Sequence, residues 1–153
     1  MRRLEREIVN QDALTELLTR GQVVHLALAD EPFPYIVTLN YGYKDNALYA
    51  HCAVEGHKLD LLRRNNKGSF QVILGSDLLK HEEPCAWTTK FTSVCGQAEA
   101  KIYETHEKKL ECLQIIMKHF GYDNADFTEK MTKKLVTLKF SIISLTGKSN
   151  IKS

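Results

Sequence analysis

Gly56-His57-Lys58 stands where a strand-like run gives way to a helix-like one. The surrounding segment reads Leu48-Tyr49-Ala50-His51-Cys52-Ala53-Val54-Glu55-Gly56-His57-Lys58-Leu59-Asp60-Leu61-Leu62-Arg63-Arg64-Asn65. The first turn of a helix carries backbone N–H groups with no intrahelical acceptor. Together with the helix dipole they attract anions. Gly56 has no Cβ to hold a ligand off the backbone. Lys58 adds a full positive charge at that end, and His57 adds a donor. A cation in the first turn opposes the dipole by about 0.3–1 kcal/mol. A bound phosphate turns that conflict into attraction. The residues read as a phosphate cradle, but a solvated lysine beside a loop histidine would give the same local sequence. His51, Cys52 and His57 lack the tight paired spacing of a zinc site, so a metal set is disfavoured.

The elements that must position this segment follow from apolar periodicity. Asn10 or Asp12 caps a first helix that runs to Arg20, with Leu14, Leu17 and Leu18 as its apolar stripe and Gly21 as its stop. Gln22 to Ala29 reads as a strand, and Glu31-Pro32-Phe33-Pro34 breaks it. Tyr35 to Tyr43 and Ala47 to Cys52 read as a hairpin across a three-residue loop, Lys44-Asp45-Asn46. Gly56 opens a short helix that ends near Asn65. Ser69 to Leu74 is a strand, Gly75 to Pro84 a polar loop, and Cys85 to Tyr103 a long strand or hairpin with a possible bulge at Gly96. Thr105 caps a helix to Phe120 whose apolar face is read as Leu110, Leu113, Met117 and Phe120. Asp126 to Lys133 reads as a short helix, and Leu135 to Leu145 as the last strand. Six mostly antiparallel strands with helices at the ends and one between strands predict a small barrel with flanking helices. No Gly-x-Gly-x-x-Gly or P-loop motif is present, so a Rossmann site is a poor fit.

Composition narrows the function. A chain of 153 residues predicts one domain with a core large enough to need no staple. Net charge is +2, from 21 basic and 19 acidic residues, which gives no broad footprint for a nucleic-acid backbone. No apolar run reaches bilayer length, and none follows the N-terminal Met1-Arg2-Arg3, so the expected location is cytoplasmic with no membrane partner. Cys52, Cys85, Cys95 and Cys112 form no Cys-x-x-Cys pair and are read as free thiols. His25, in an apolar strand, is read as a hydrogen-bonded core residue; His81, His106 and His119 are read as surface residues. Lys130, Lys133, Lys134 and Lys139 are read as a solvated face.

The segment from Leu48 to Asn65 resembles the pyridoxamine 5′-phosphate oxidase-like flavoproteins, most closely their nitroimidazole-resistance type. The resemblance rests on Tyr49, His51, Glu55-Gly56-His57-Lys58-Leu59-Asp60 and Arg63-Arg64-Asn65. It extends to the strand Tyr35 to Tyr43, to Met1-Arg2-Arg3 and to Leu145-Thr146-Gly147-Lys148. It implies a six-stranded split β-barrel that binds FMN and works as a homodimer, with sites at the interface. Gly56, His57 and Lys58 would then hold the FMN phosphate. The backbone of Val37, Thr38 and Leu39 would face the isoalloxazine ring, with the Thr38 hydroxyl bonding to it. His51 would lie beside the flavin, contacting the substrate or donating a proton, a task that suits an imidazole. Trp87 reads as readily as a buried or interface aromatic as one stacked on the flavin. The implied activity is reduction of a small organic acceptor. The alternatives are a non-catalytic flavin binder or sensor, or the same barrel holding haem or a deazaflavin. The chain departs from the family pattern at His57, where arginine is common, and at Phe91-Thr92-Ser93-Val94, where a tyrosine hydroxyl is missing.

Overall fold

The computed structural model describes residues 3–151. Its chain order is β1 (Glu7–Ile8), α1 (Gln11–Arg20), β2 (Val23–Leu28), β3 (Tyr35–Asn40), β4 (Gly42–Lys44), β5 (Ala47–Ala53), α2 (His57–Arg64), β6 (Lys67–Leu79), β7 (Thr88–Tyr103), α3 (His106–His119), α4 (Glu129–Thr132) and β8 (Leu135–Ser149). The strands form one antiparallel sheet in the order β3-β2-β6-β7-β8-β5-β4, with β1 added to the far end of β8. The expected mainly β architecture with flanking helices is the observed one. Among the described residues, no helix is long and apolar enough to cross a membrane.

Alternation decides which face of the sheet is dry. Val24, Leu26 and Leu28 of β2 point inward, as do Phe70 and Val72 of β6, Val94 and Ala98 of β7, and Val136, Leu138 and Phe140 of β8. They meet Leu48, Ala50 and Cys52 of β5 and Leu59, Leu61 and Leu62 of α2 inside the curl of the sheet. α1 closes one end with Leu14 and Leu18. Its start is capped by the Asn10 side chain, which accepts from the Asp12 and Ala13 N–H groups at 2.8 and 3.2 Å. A second, smaller core lies outside the curl. There α3 presses Cys112, Leu113 and Ile116 onto Ala47 and Tyr49 of β5.

Eight strands replace the six expected. The short β1 carries too little pattern to be seen in sequence. The run Tyr35 to Tyr43 divides at Tyr41, which is fully buried and donates from its hydroxyl to the Leu18 carbonyl at 2.7 Å. β3 therefore pairs with β2, and only Gly42–Lys44 pairs with β5. The hairpin loop is two residues, Asp45 and Asn46, both at positive φ (49° and 54°), as a type I′ turn requires. Gly42 is needed there because a Cβ would lie 2.8 Å from the Ile115 carbonyl oxygen of α3.

β6 runs on through the expected loop to Leu79. A bulge makes this possible, the register passing from Leu74↔Thr92 to Asp77↔Lys90. Gly96 is not a bulge. It pairs in register with Phe70 and Leu145, and its missing Cβ admits the Phe70 ring, which would otherwise stand 2.5 Å away. The irregularity falls one residue later, where Gln97↔Ser144 is followed by Ala98↔Ile142 and Ile143 is left over. The buried stripe of α3 also differs from the expected one. It comprises Lys109, Cys112, Leu113 and Ile116, while Phe120 is exposed.

Candidate functional site

The start of α2 is open. Gly56 occupies the N-cap position at φ 134°, makes no side-chain cap and would meet nothing within 4 Å if it carried a Cβ. Its carbonyl takes the Leu59 and Asp60 N–H groups at 2.8 and 3.4 Å. The His57 and Lys58 N–H groups precede the first intrahelical bond and remain at the helix mouth. Lys58 is half-buried. Its charge and that of Arg63 act on Cys52, whose thiol is nevertheless pushed up by burial. Cys52 is thus a small buried residue, as expected.

The His57 side chain is held elsewhere. Its Nε2 donates to Asp30 Oδ2 at 2.6 Å, and its ring meets Tyr35 edge-on with centroids 5.1 Å apart. Asp30 also faces Arg64 at 3.6 Å. These contacts tie the end of β2 and the start of β3 to the mouth of α2. Asp30 and Tyr35 were not foreseen, because the pairing spans 27 positions and leaves no local mark. The hydrogen bond from His57 holds the Asp30 carboxyl below its ordinary 3.8, with the Glu31 N–H and the charges of His57 and Arg64 adding to the effect. A lowered folded pKa contributes stability above the unfolded value and loses it as pH falls through the folded one. Asp30→Asn should therefore flatten the acid limb of the stability curve below about pH 4. Equal slopes for the two chains in acid denaturation would rule this out.

On β3, Val37 and Leu39 are half-buried and pack against the main core. Thr38 faces the other way, bonded at 3.0 Å to His25 Nδ1. His25 is therefore hydrogen-bonded, as read, but it lies on the outer face of the sheet and not in the core. Register aligns Thr38, His25, Gln71, Cys95 and Thr146 in one row across five strands. A shallow cavity of about 470 Å³ lies over His25, Gln71 and Cys95. The same outer face exposes Ile36, Ile73 and Leu78. Trp87 stands half-exposed where β6 and β7 join, its Nε1 donating to the His81 carbonyl.

His51 is exposed on β5, on the side of the sheet that carries Tyr49. It lies in a row with Thr137 and Tyr103. The Tyr35–His57 contact brings the start of β3 to Gly56–Lys58; His51 lies on the opposite side of β5 from the inward-facing Cys52. The four cysteines are free, and among the described residues no group of three metal-ligating side chains occurs. His119 corrects another expectation. It is half-buried, not on the surface, and joins the Tyr43 N–H at Nδ1 (3.3 Å) to the Gly21 carbonyl at Nε2 (2.5 Å).

A family model for pyridoxamine 5′-phosphate oxidase matches residues 10–149. The chain belongs to the pyridoxamine 5′-phosphate oxidase-like family. The curled sheet with its flanking helices is the split β-barrel of that family. Among solved structures, a Bacteroides thetaiotaomicron protein proposed to confer 5-nitroimidazole antibiotic resistance is 26% identical, with a TM-score of 0.82 over 94% of this chain and 86% of that one. The flavocytochrome Anf3 of Azotobacter vinelandii shares the fold at 14% identity, with a TM-score of 0.83 over 99% of this chain and 72% of the other. A FAD-binding protein of Mesorhizobium loti does so at 23% identity, with a TM-score of 0.69 over 95% and 98%. No curated protein matches the chain.

Proposed function

We propose that this family member is an FMN-binding oxidoreductase that reduces a small organic acceptor and works as a homodimer. The observation that carries the reading is the open mouth of α2: two free amides, a glycine no side chain crowds, and the half-buried Lys58. That donor set suits a terminal phosphate monoester. Backbone N–H of His57 serves the phosphate here, while its imidazole braces the cradle through Asp30. Bound FMN would supply the electron chemistry. Val37, Thr38 and Leu39 would position the ring along the edge strand β3. His51 would hold a proton for the acceptor.

The dimer reading is supported by exposed aliphatics on a single face. Ile36 is 68% exposed, Ile73 48% and Leu78 54%, all on the outer side of one sheet. Burying these side chains against a second copy would remove apolar surface from water. A second copy would also wall in the ring against β3, which forms one edge of the sheet.

The similarity to the Bacteroides protein favours a nitroaromatic acceptor, whereas the name of a Mycobacterium smegmatis neighbour that binds FAD and haem leaves these as the competing ligands. Equilibrium dialysis of the purified chain against FMN, FAD and haemin separates these, and FMN should bind most tightly. Turnover is then measured with a reduced nicotinamide and a panel of nitro and quinone acceptors. His51→Ala should retain FMN affinity and lose about 10²–10⁴-fold in rate, the usual worth of a positioned proton donor. A loaded protein that reduces no acceptor faster than free FMN makes the chain a flavin binder without catalysis.

A further inference from the structure

A large hollow among the described residues lies away from the mouth of α2. It lies beneath α3, holds about 1190 Å³, and is lined by none of Val37, Thr38, Leu39, Gly56, His57 or Lys58. We propose that this hollow is a separate binding site for a planar aromatic carboxylate. Small-molecule sites run to about 300–1,000 Å³, so a one- or two-ring ligand fits with room for water.

Three phenols shape the interior. Tyr43, Tyr103, the mostly buried Tyr49 and the almost fully buried Cys112 line it. Burial pushes the Tyr49 hydroxyl up, and the neighbouring Cys112, Asp45, Tyr103 and Glu111 add to the shift. The phenol therefore stays a hydrogen-bond donor. Flat aromatic faces with hydroxyl tips recognise a flat ring that carries acceptor oxygens.

Charge selects the anion. Four lysines reach the rim, and two are matched: Lys44 by Asp45 at 3.9 Å and Lys108 by Glu111 at 2.8 Å. Lys118 and Lys139 have no carboxylate within 4.0 Å among the described residues, and Asp123 is the one lining acid left unmatched. Lys139 lies over the Tyr49 ring, with its Nζ 5.9 Å from the centroid. The pair sets an ammonium beside a phenol, and both can address one carboxylate. His119 also lines the hollow, but both its nitrogens are already engaged with Tyr43 and Gly21, so it is a strut and not a ligand. Strand register places His51 next along β5 on the same face as Tyr49, outside the lining of the hollow.

Binding is measured by calorimetry and by amide NMR shifts, without added flavin, so the outcome is independent of the FMN reading. The probes are 4-nitrobenzoate and its neutral analogue 4-nitrobenzyl alcohol. The acid should bind saturably, with shifts at Tyr49, Tyr103 and Cys112, and at least tenfold more tightly than the alcohol. Lys139→Met and Lys118→Met should each weaken the acid about tenfold and leave the alcohol unchanged. Lys67→Met, which removes a lysine paired with Glu99 elsewhere on the chain, should change neither. Two lysine variants guard against one failing to fold. Equal affinity for acid and alcohol, or wild-type affinity in both Lys139→Met and Lys118→Met, overturns the assignment; so does the lack of saturable binding at millimolar probe.

Discussion

Lys58→Ala is expected to weaken FMN binding by about 10- to 100-fold. A hydrogen bond to a charged partner contributes about 1.5–3 kcal/mol, and each 1.4 kcal/mol is a factor of ten. Lys58 is half-buried at the second position of α2, so its side chain has less freedom to lose on binding than a fully exposed lysine. The apo chain should not suffer. A cation in the first turn opposes the helix dipole, so the alanine variant should melt at the wild-type temperature or slightly above. That separates a lost ligand contact from a lost fold. His57→Ala is the informative partner. Its ring is committed to Asp30, and its amide survives the substitution, so its effect on affinity should be several-fold smaller. Fluorescence titration of FMN against the three chains reads both effects. Unchanged affinity in Lys58→Ala would move the phosphate away from the mouth of α2.

The mouth of α2 was legible in sequence because its causes are local. A glycine, two donors and an amphipathic stripe of Leu59, Leu61 and Leu62 fall within a few positions, and all three leucines are buried. What braces the mouth was not legible. His57 meets Asp30 because β2 ends where α2 begins, which is a fact of topology. The break at Tyr41 was hidden for the same reason. Tyr35 to Tyr43 keeps strand-like composition throughout, and only the reach of the Tyr41 hydroxyl to Leu18 and the packing of His119 on its ring show that the chain must turn. On α3, two sets of positions satisfy the same helical spacing. The set that is buried includes Lys109, whose stem is covered while its ammonium donates to the Thr132 carbonyl at 3.2 Å. A lysine is a poor sign of burial in sequence, so the stripe was placed on the wrong side.

Phe140→Ala is expected to cost about 3–5 kcal/mol, a large share of the roughly 5–15 kcal/mol that holds a domain together. Phe140 is 1% exposed and sits between Leu48 of β5 and Ala100 of β7 across the ladder. Its ring fills the centre of the curl, where no neighbour can collapse without moving a strand. Ile143→Ala supplies the contrast. Ile143 is 60% exposed and is the leftover residue of the β8 irregularity, so its truncation should stay within about 0.5 kcal/mol. The two together test the register. Along β8, Val136, Leu138, Phe140 and Ile142 are buried, and beyond Ile143 the inward positions become Leu145 and Gly147. A strand without the extra residue would turn one of these two sets to the outside. Denaturant midpoints at unchanged m-value measure both variants. If Ile143→Ala proved as costly as Phe140→Ala, the inward face of β8 would be wrong. The row that sets Thr137 beside His51 would then be wrong with it.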